Sequence, residues 1–589
     1  MIRLALSTAL VASAATSVAL ADQVPHGRIV AALSALLGMA SVAPMASWIR
    51  DRIGRRALRG REALSIADLP IRPGRVYLGR GFEWTPGHAM ELERVAARGA
   101  AAGAMHAVGA AEESDLHLAE SELDLHLLIL GSTGTGKTRL LEILVAQAIR
   151  RGEAVAVIDP KGDAGLLARI ADECRRANKP LSLIAPPYPK ASIPYNPVAR
   201  FVETREVADR IAALLPAGGD AEPFRAFAWE SVEAVTSAMW RYGEPVTLTA
   251  IRRHALEDPW GLPRRLVRDS APDLAKLEPE TMARRFLSRR AGPPTPELDR
   301  LLALALRPRE HAQKLSSSLA PILAKLTSGT NRDLLSPEVG GFSWGEFDRT
   351  RGVTYFFLGS LLGADSASAI AKMALLDFGS YVGAKYAYGM EGGPISLFVD
   401  ELADAVSPPF ISLLNKGRGA GIRITGSAQT AADLEATLGS EARARQVLSN
   451  ANTVVQFRSP NLDDAEAFSS LAGARLLPAV SDAESYEPAL FTSGLEPVDD
   501  FRAVFGRHTA WRPGEFVPAW AVTALPRFEF FVRSGGRVAK GVAPLMAPAS
   551  LDPVRAIQEG CVDASRVDLA DGAGRDGARF RRDRPGAGA

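Results

Sequence analysis

The sequence has very little cysteine and almost no net charge, and both features narrow the classes of protein it could be. Only Cys174 and Cys561 occur in 589 residues, with no Cys-x-x-Cys or Cys/His spacing, so neither a disulfide framework nor a cysteine-ligated metal site is predicted. A reducing compartment fits this composition best. The formal net charge is +2, so there is no chain-wide field that would favour nucleic acid or a membrane surface. Any basic site must therefore be local.

What the sequence does contain is enough apolar material for several globular domains. Hydrophobic residues make up 47% of the chain, and 589 residues exceed what one compact core accommodates. No internal repeat is visible. The length predicts about two to four domains.

Two uncharged apolar runs precede residue 50. The run at 29–49 is long enough, at about 1.5 Å per residue, to cross a bilayer as a helix. The run at 4–21 is shorter, and the Ala-Leu-Ala before Asp22 resembles a signal-peptidase site, so a membrane helix and a cleaved signal are both open. Six arginines follow within residues 50–61, which predicts that everything beyond residue 50 faces the cytoplasm. We interpret these arginines as a linker or lipid-headgroup anchor rather than a DNA site.

A phosphate-binding loop is predicted at residues 131–138, GSTGTGKT, which satisfy the pattern G-x-x-x-x-G-K-[ST]. A buried strand over 125–130 precedes it, apolar residues at helical spacing follow it, and a second apolar strand covers 154–158, as in a βαβ unit. Backbone N–H groups of such a loop converge on phosphate oxygens, while Lys137 reaches the β and γ phosphates and Thr138 binds magnesium. The predicted nucleotide-binding residues are Gly131, Ser132, Thr133, Gly134, Thr135, Gly136, Lys137 and Thr138.

A second motif, PISLFVDELAD, supplies the carboxylates that a hydrolase needs. An apolar strand at 395–399 ends in Asp400 and Glu401, and parallel-sheet sites assemble at strand ends. Asp400 is predicted to hold magnesium together with Thr138, and Glu401 to act as general base on the attacking water. The large separation from the phosphate loop indicates an insertion between the two motifs.

Two further stretches fit the same site. NKGRGAGIRITGSAQT places Arg418 in a glycine-flanked turn, then a strand from Ile422, then Gln429. In stacked ATPases a glutamine at such a strand end can sense the γ-phosphate, and an arginine can cross to a neighbouring subunit's site. Arg458, after the strand in NTVVQFRSP, is the competing candidate for the crossing arginine.

The segment between the two motifs is predicted to be helical. Apolar residues recur three and four apart from residue 205 to about 326. This segment carries local positive charge, which we interpret as solvated helix faces rather than a phosphate-binding surface; Trp229 is interpreted as a core residue. The arginines concerned are Arg252, Arg253, Arg264, Arg265, Arg268, Arg284, Arg285, Arg289 and Arg290. The Gly- and Arg-rich end of the chain is predicted to be disordered, after a possible last helix in LDPVRAIQEGCV.

Together these motifs resemble those of the type IV secretion coupling proteins of the TraG/TraD family. The matching stretches are GSTGTGKT (131–138), VIDPKGD (157–163), LFVDELAD (397–404), KGRGAGIRITGSAQ (416–429) and NANTVVQFRSP (450–460), and the likeness extends from residue 1 to about 545. One departure lies at Thr425 and Gly426, where the family's strand is usually aliphatic.

The resemblance implies an α/β fold: a RecA-like P-loop NTPase domain with an inserted all-α domain and an N-terminal transmembrane hairpin. The expected domains are two membrane segments (1–50), a juxtamembrane linker with the start of the cytoplasmic region (51–120), the ATPase domain (121–195 and 346–545), the all-α domain (196–345) and a mostly disordered basic tail (546–589). It also places Asp400 and Glu401 in the family's second motif and implies that Gln429 is the sensor and Arg418 the arginine finger.

The function implied is that of a homo-hexameric ATPase in the bacterial inner membrane, with its main body in the cytoplasm. It would use ATP and Mg²⁺ to pass single-stranded DNA with an attached relaxase to type IV secretion channel proteins during conjugation. Two alternatives stay open: an FtsK-like double-stranded DNA translocase, and a docking receptor at the channel that hydrolyses nothing. The intact Lys137, Asp400 and Glu401 disfavour the second.

Overall fold

The computed structural model describes residues 63–97, 105, 108–216, 221–289, 296–308, 316–488 and 501–549. The apolar runs, the arginines at 50–61 and the basic tail beyond residue 549 lie outside these ranges, as does the helix expected near residue 551. Among the residues within them, no helix is both long and apolar enough to span a membrane.

Eleven of the described strands form one sheet. The strands are β1 (Arg75–Glu83), β2 (Ser114–Ala119), β3 (Leu127–Leu130), β4 (Ala154–Asp159), β5 (Leu181–Ile184), β6 (Val353–Phe357), β7 (Ile395–Val399), β8 (Ile422–Ala428), β9 (Thr453–Phe457), β10 (Ala474–Pro488), β11 (Phe501–Glu515), β12 (Glu529–Ser534) and β13 (Arg537–Val542). Their order in the sheet is β2-β1-β13-β12-β9-β3-β8-β7-β4-β6-β5. The seven strands from β9 to β5 are parallel, and β12, β13, β1 and β2 add an antiparallel extension.

Helices surround this sheet. They are α1 (Pro86–Ala97), α2 (Lys137–Arg150), α3 (Ala164–Ala177), α4 (Arg205–Ala212), α5 (Glu222–Arg241), α6 (Leu248–Arg252), α7 (Gly261–Ser270), α8 (Pro279–Arg289), α9 (Pro296–Ala305), α10 (Leu319–Thr327), α11 (Thr330–Leu335), α12 (Trp344–Thr350), α13 (Ser360–Ala387), α14 (Leu402–Ala405), α15 (Pro408–Lys416), α16 (Ala431–Leu438), α17 (Glu441–Ser449), α18 (Leu462–Ala472) and α19 (Ala519–Thr523). The α/β class predicted from the sequence is confirmed, and the sheet is large and mostly parallel.

The central parallel strands are buried on both faces, which explains their continuous apolar runs. On β4, Val155 and Val157 pack on the side of α2 and α3, whereas Ala156 and Ile158 pack on the side of Phe378 in α13. Cys174 on α3 belongs to the first of these cores, and burial raises the pKa of its thiol to about 12. The thiol therefore stays protonated and unreactive.

The strand before the phosphate loop begins later than predicted. β3 starts at Leu127, because Leu125 ends a short helical turn and His126 has a left-handed φ of 63°. β8 is continuous through Thr425 and Gly426, where the sequence departs from the family pattern. A Cβ at Gly426 would lie 3.0 Å from Leu402 Cδ2 and 3.2 Å from Leu128 Cδ2, so the close approach of these side chains favours glycine.

Between β5 and β6 the described residues contain helices, α4 to α12, and no strand. A buried polar cluster joins them to α13: Arg210 contacts Asp377 at 2.9 Å, and the Tyr195 hydroxyl donates to Asp377 at 2.8 Å. Trp229 is half-buried and donates its ring N–H to Asp209 at 2.7 Å. The inserted helices are thus fixed to a helix that itself packs on the sheet.

A long antiparallel hairpin follows α18. β10 and β11 pair from Ala474 opposite Glu515 to Pro488 opposite Phe501 and form a sheet of their own. At about 3.4 Å per residue, strands of 15 residues reach roughly 50 Å.

Candidate nucleotide site

The phosphate loop lies at the carboxyl end of β3 and runs into the first turn of α2. Gly131 has φ 144°, and a Cβ there would lie 2.6 Å from the Cβ of Phe457, so only glycine fits beside β9. Ser132 donates its N–H and its hydroxyl to the carbonyl of Arg458 at 2.9 and 3.1 Å. The end of β9 therefore fixes the start of the loop.

Lys137 is buried at the centre of the loop. Its Nζ donates to the carbonyl oxygens of Gly131 at 2.6 Å and Ser132 at 3.4 Å, and the residue is 6% exposed. Burial lowers the pKa of Lys137, while the charges of Glu401 and Asp400 oppose that shift. An ammonium group held by loop carbonyls and facing carboxylates is suited to phosphate oxygens.

The two carboxylates follow β7, which is separated from β3 by β8 alone. Asp400 is 2% exposed and accepts a hydrogen bond from the Ser427 hydroxyl at the end of β8. The Glu401 amide donates to Asp400 Oδ1 and to Ser427 Oγ, both at 3.2 Å. Glu401 has a left-handed φ of 47°, which costs energy in a non-glycine residue and is often found at functional sites.

Gln429 connects the carboxylates to the phosphate loop. Its Nε2 donates to both carboxylate oxygens of Glu401 at 3.4 Å, and its Oε1 accepts from the Thr133 hydroxyl at 3.0 Å. The side chain thus contacts both predicted parts of the site. A change at a bound γ-phosphate could be transmitted to Glu401 through this amide.

Burial raises the pKa of Glu401, and the neighbouring Asp400 charge raises it further. Lys137, the hydrogen bond from Gln429 and Lys161 act in the opposite direction. A carboxylate with a raised pKa is a stronger base at neutral pH than an ordinary glutamate.

The last residue of β4 and the turn after it form a part of the site to which the sequence motifs gave no role. Asp159 is fully buried and accepts the amides of Gly162 at 2.8 Å and Asp163 at 2.6 Å and the hydroxyl of Tyr355 at 2.6 Å. Burial raises the pKa of Asp159. Asp159 thus holds the turn that carries Lys161, and the charge of Lys161 lowers the pKa of both Lys137 and Glu401. In the sequence, the stretch DPKGD at the end of an apolar strand is the pattern that could have indicated these site residues.

The two candidate crossing arginines lie at different places. Arg458 follows β9, and its carbonyl is bound to Ser132, so its backbone is at the phosphate loop of its own subunit. Arg418 is exposed in the turn before β8, whereas Gln429 follows the same strand. Seven residues of strand at about 3.3 Å each put the two ends of β8 roughly 23 Å apart. Arg418 is therefore at the opposite edge of the sheet from the loop.

Several of the arginines on the inserted helices are paired within the chain. Arg253 and Arg265 contact Glu244, the first at 3.2 Å, and Arg289 contacts Asp273 at 2.8 Å. Arg284 and Arg285 are exposed, and Arg290 lies outside the described residues. The pairing agrees with solvated helix faces.

The residues fit a magnesium ion that is bound together with a triphosphate. In the ranges described above, no group of three or more His, Cys, Asp and Glu could hold a metal alone. Asp400 supplies a buried carboxylate, and Thr138 lies at the start of α2. One carboxylate and one hydroxyl, completed by phosphate oxygens and water, form the usual magnesium site of nucleotide enzymes.

The parallel sheet, the loop and the carboxylate strand two positions away in the sheet define the class: a P-loop nucleoside triphosphatase fold. Two family models match parts of the chain. The central domain of the helicase HerA matches residues 108–196, and the TraM recognition site of TraD and TraG matches residues 394–489. The resemblance to coupling proteins of the TraG/TraD type is confirmed. None of the curated proteins matches.

Solved structures give distant similarities. The bacterial conjugative coupling protein TrwBdeltaN70 is 18% identical, with coverage of 82% of this chain and 98% of that one and a TM-score of 0.49. The plasmid coupling protein TrwB in complex with ADP and Mg²⁺ is 15% identical, with coverage of 74% and 89% and a TM-score of 0.49. VirB4 of Thermoanaerobacter pseudethanolicus is 13% identical, with coverage of 71% and 89% and a TM-score of 0.39.

Proposed function

We propose that this protein is a coupling ATPase of conjugation, which hydrolyses MgATP to move single-stranded DNA with its relaxase into a type IV secretion channel. It acts as a homo-hexamer in the bacterial inner membrane, held by the apolar runs before residue 50, with its main body in the cytoplasm. The match of residues 394–489 to the TraM recognition site of TraD and TraG supports contact with a relaxosome protein.

The observation on which the proposal rests is the convergence of three separate motifs at one sheet edge. The ends of β3, β7 and β8 bring Lys137, Glu401 and Gln429 into one connected cluster. An ordinary glycine-rich turn would not need a buried lysine facing two carboxylates.

Each residue of the cluster has a defined task. The loop amides and Lys137 bind the phosphates, Glu401 accepts the proton of the attacking water, and Gln429 relays the state of the γ-phosphate. Asp400 and Thr138 would hold magnesium, which would supply positive charge to the phosphate oxygens. Arg418 of one subunit completes the site of the next, because its own site lies at the other edge of the sheet.

A double-stranded DNA translocase is the second candidate. The match of residues 108–196 to the central domain of the helicase HerA is the observation that favours it. The P-loop region alone does not determine which nucleic acid is moved. The two candidates differ in the polymer that stimulates hydrolysis.

The test is the ATPase rate of the full chain in detergent or nanodiscs, alone and with single- or double-stranded DNA. We expect single-stranded DNA to stimulate more. Glu401→Gln should lower turnover by about 10²-fold or more while it retains ATP, and Lys137→Ala should lose ATP binding.

Glu435→Gln, on the exposed side of α16, is the matched control and should leave the rate unchanged. Stimulation by double-stranded DNA alone would favour the translocase. A rate that neither DNA nor Glu401→Gln changes would refute the motor and leave a docking receptor.

A further inference from the structure

The residues just before β12 support the phosphate loop from its outer side. The amide of Phe528 donates to the carbonyl of Thr135 at 2.8 Å, and Nε of Arg527 donates to the carbonyl of Gly134 at 3.0 Å. Both bonds go to loop carbonyls and leave the loop N–H groups available for phosphate. This segment therefore shapes the loop without occupying its anion-binding donors.

Phe528 is held in an unfavourable backbone conformation at this contact. Its φ is 70°, which is rare for a bulky residue, and its carbonyl accepts the Ala543 amide at 2.9 Å. Its ring packs against the loop, since a Cβ on Gly136 would lie 3.0 Å from Phe528 Cδ1. Such a conformation persists where the surrounding structure requires it, and it marks functional positions.

The strand order shows on which side of the loop the nucleoside must lie. Glu401 and Gln429 follow β7 and β8, so the γ-phosphate end of a bound triphosphate faces that side of β3. The other end of the triphosphate leaves toward β9 and β12. Arg527 lies there, exposed, with its guanidinium carbon 4.8 Å from the centre of the Phe528 ring.

We propose that Arg527 contacts the purine base of the bound triphosphate and that Phe528 holds Arg527 in position; this inference rests on the proposed ATPase function. A guanidinium plane stacks on the face of a base, and every purine presents such a face. The contact involves the face of the base and no hydrogen bond to its edge, so adenine and guanine nucleotides are bound with similar affinity. The cation–π contact and the bond to Gly134 restrict the guanidinium before the nucleotide arrives.

The test compares three ligands on the full chain, each with Mg²⁺: ATP, GTP and inorganic tripolyphosphate, measured by displacement of a fluorescent ATP analogue. Arg527→Ala should weaken ATP and GTP by about tenfold and leave tripolyphosphate within about twofold. Arg527→Lys keeps the positive charge but removes the planar guanidinium group, so it should show most of the same loss of affinity for ATP and GTP. Arg537→Ala, at another exposed arginine on β13, is the matched control and should change none of the three.

Equal losses for ATP and tripolyphosphate would mean that Arg527 acts only on the loop through Gly134, and they would overturn the base contact. Unchanged ATP affinity in Arg527→Ala, full affinity in Arg527→Lys, or a base-specific loss in Arg458→Ala instead would overturn it as well. A wild-type chain that binds neither ATP nor tripolyphosphate would refute the proposed function itself. Thermal unfolding of each variant shows whether a loss reflects misfolding.

Discussion

The two edges of the parallel sheet use charged residues in opposite ways. At the carboxyl edge, Lys137 is buried and Glu401 is half-buried; burial lowers the pKa of Lys137 and raises the pKa of Glu401, and the charge of each opposes the shift of the other. At the amino edge, Arg423 near the start of β8 contacts Glu120, Asp124 and Glu153 at 2.6 to 2.8 Å. The charges of the second edge satisfy one another within the chain.

The two ends of β8 therefore differ in purpose: one end belongs to the candidate nucleotide site, and the other belongs to an ion-pair network that stabilises the fold. β8 carries Arg423 near one end, and Gln429 follows its other end. An ion-pair network in which every charge has a partner stabilises the fold only while all the partners are present. A cluster of partly unpaired charges lowers the stability of the fold and is typical of a ligand-binding site. Arg418 is the exception at the amino edge: it is exposed and lies beyond the network. Variants at the two edges should therefore give different kinds of defect.

The largest effect is expected for Arg418→Ala. If Arg418 completes a neighbour's site, DNA-stimulated turnover should fall by about 10³-fold, because an arginine finger neutralises transition-state charge. ATP affinity should change little, since its own site does not include it. Steady-state ATPase rates and nucleotide binding on the same preparations measure this.

Mixed assemblies sharpen the result. If the subunits assemble as proposed, Arg418→Ala subunits mixed with wild-type subunits should depress the turnover of their wild-type neighbours. Lys416→Ala, at the exposed last residue of α15, should not. If wild-type turnover is undiminished in assemblies that are shown to be mixed, Arg458 becomes the candidate for the arginine finger.

Arg423→Met should act on stability instead. Removal of this guanidinium leaves Glu153, which is 2% exposed, with fewer partners, and we expect a loss of about 3 kcal/mol in the free energy of unfolding. Denaturant unfolding measures the loss, and ATP affinity of the folded protein should be unchanged. A variant as stable as wild type would mean that the two edges do not differ in this way.

A smaller effect is expected on the pH dependence of turnover. Because the pKa of Glu401 is raised, the group becomes protonated at a higher pH than an ordinary glutamate. Turnover at saturating MgATP should therefore fall as pH decreases through this raised pKa, by up to about tenfold per pH unit below it. Rates between about pH 5 and 8 show the decline, and the residual rate of Glu401→Gln should lack it.

Local patterns predicted the parts of the fold where one segment determines its own structure. The strand that ends in Asp400 has the bounds expected from its apolar run, and the phosphate loop follows a buried strand as its glycines require. Gln429 follows β8 as the resemblance implied, although its role stays a prediction. The start of β3 was wrong by two residues, because propensity does not reveal a left-handed His126.

Contacts between distant segments could not be predicted. Phe528 and Arg527 have no motif of their own, and only the sheet brings them to the loop. Ser427 looks like an ordinary strand residue until its hydroxyl is seen on Asp400. The hairpin of β10 and β11 was missed, because its strands lack a regular apolar alternation.

The bond between Arg527 and Gly134 joins residues 393 positions apart, which has a consequence for synthesis. A nascent chain that has left the ribosome only as far as the helix after β9 already contains every motif residue of the nucleotide site. It still lacks the last strands that hold the loop from outside. The order of translation thus delays the completed surroundings of the loop until β12 and β13 have emerged.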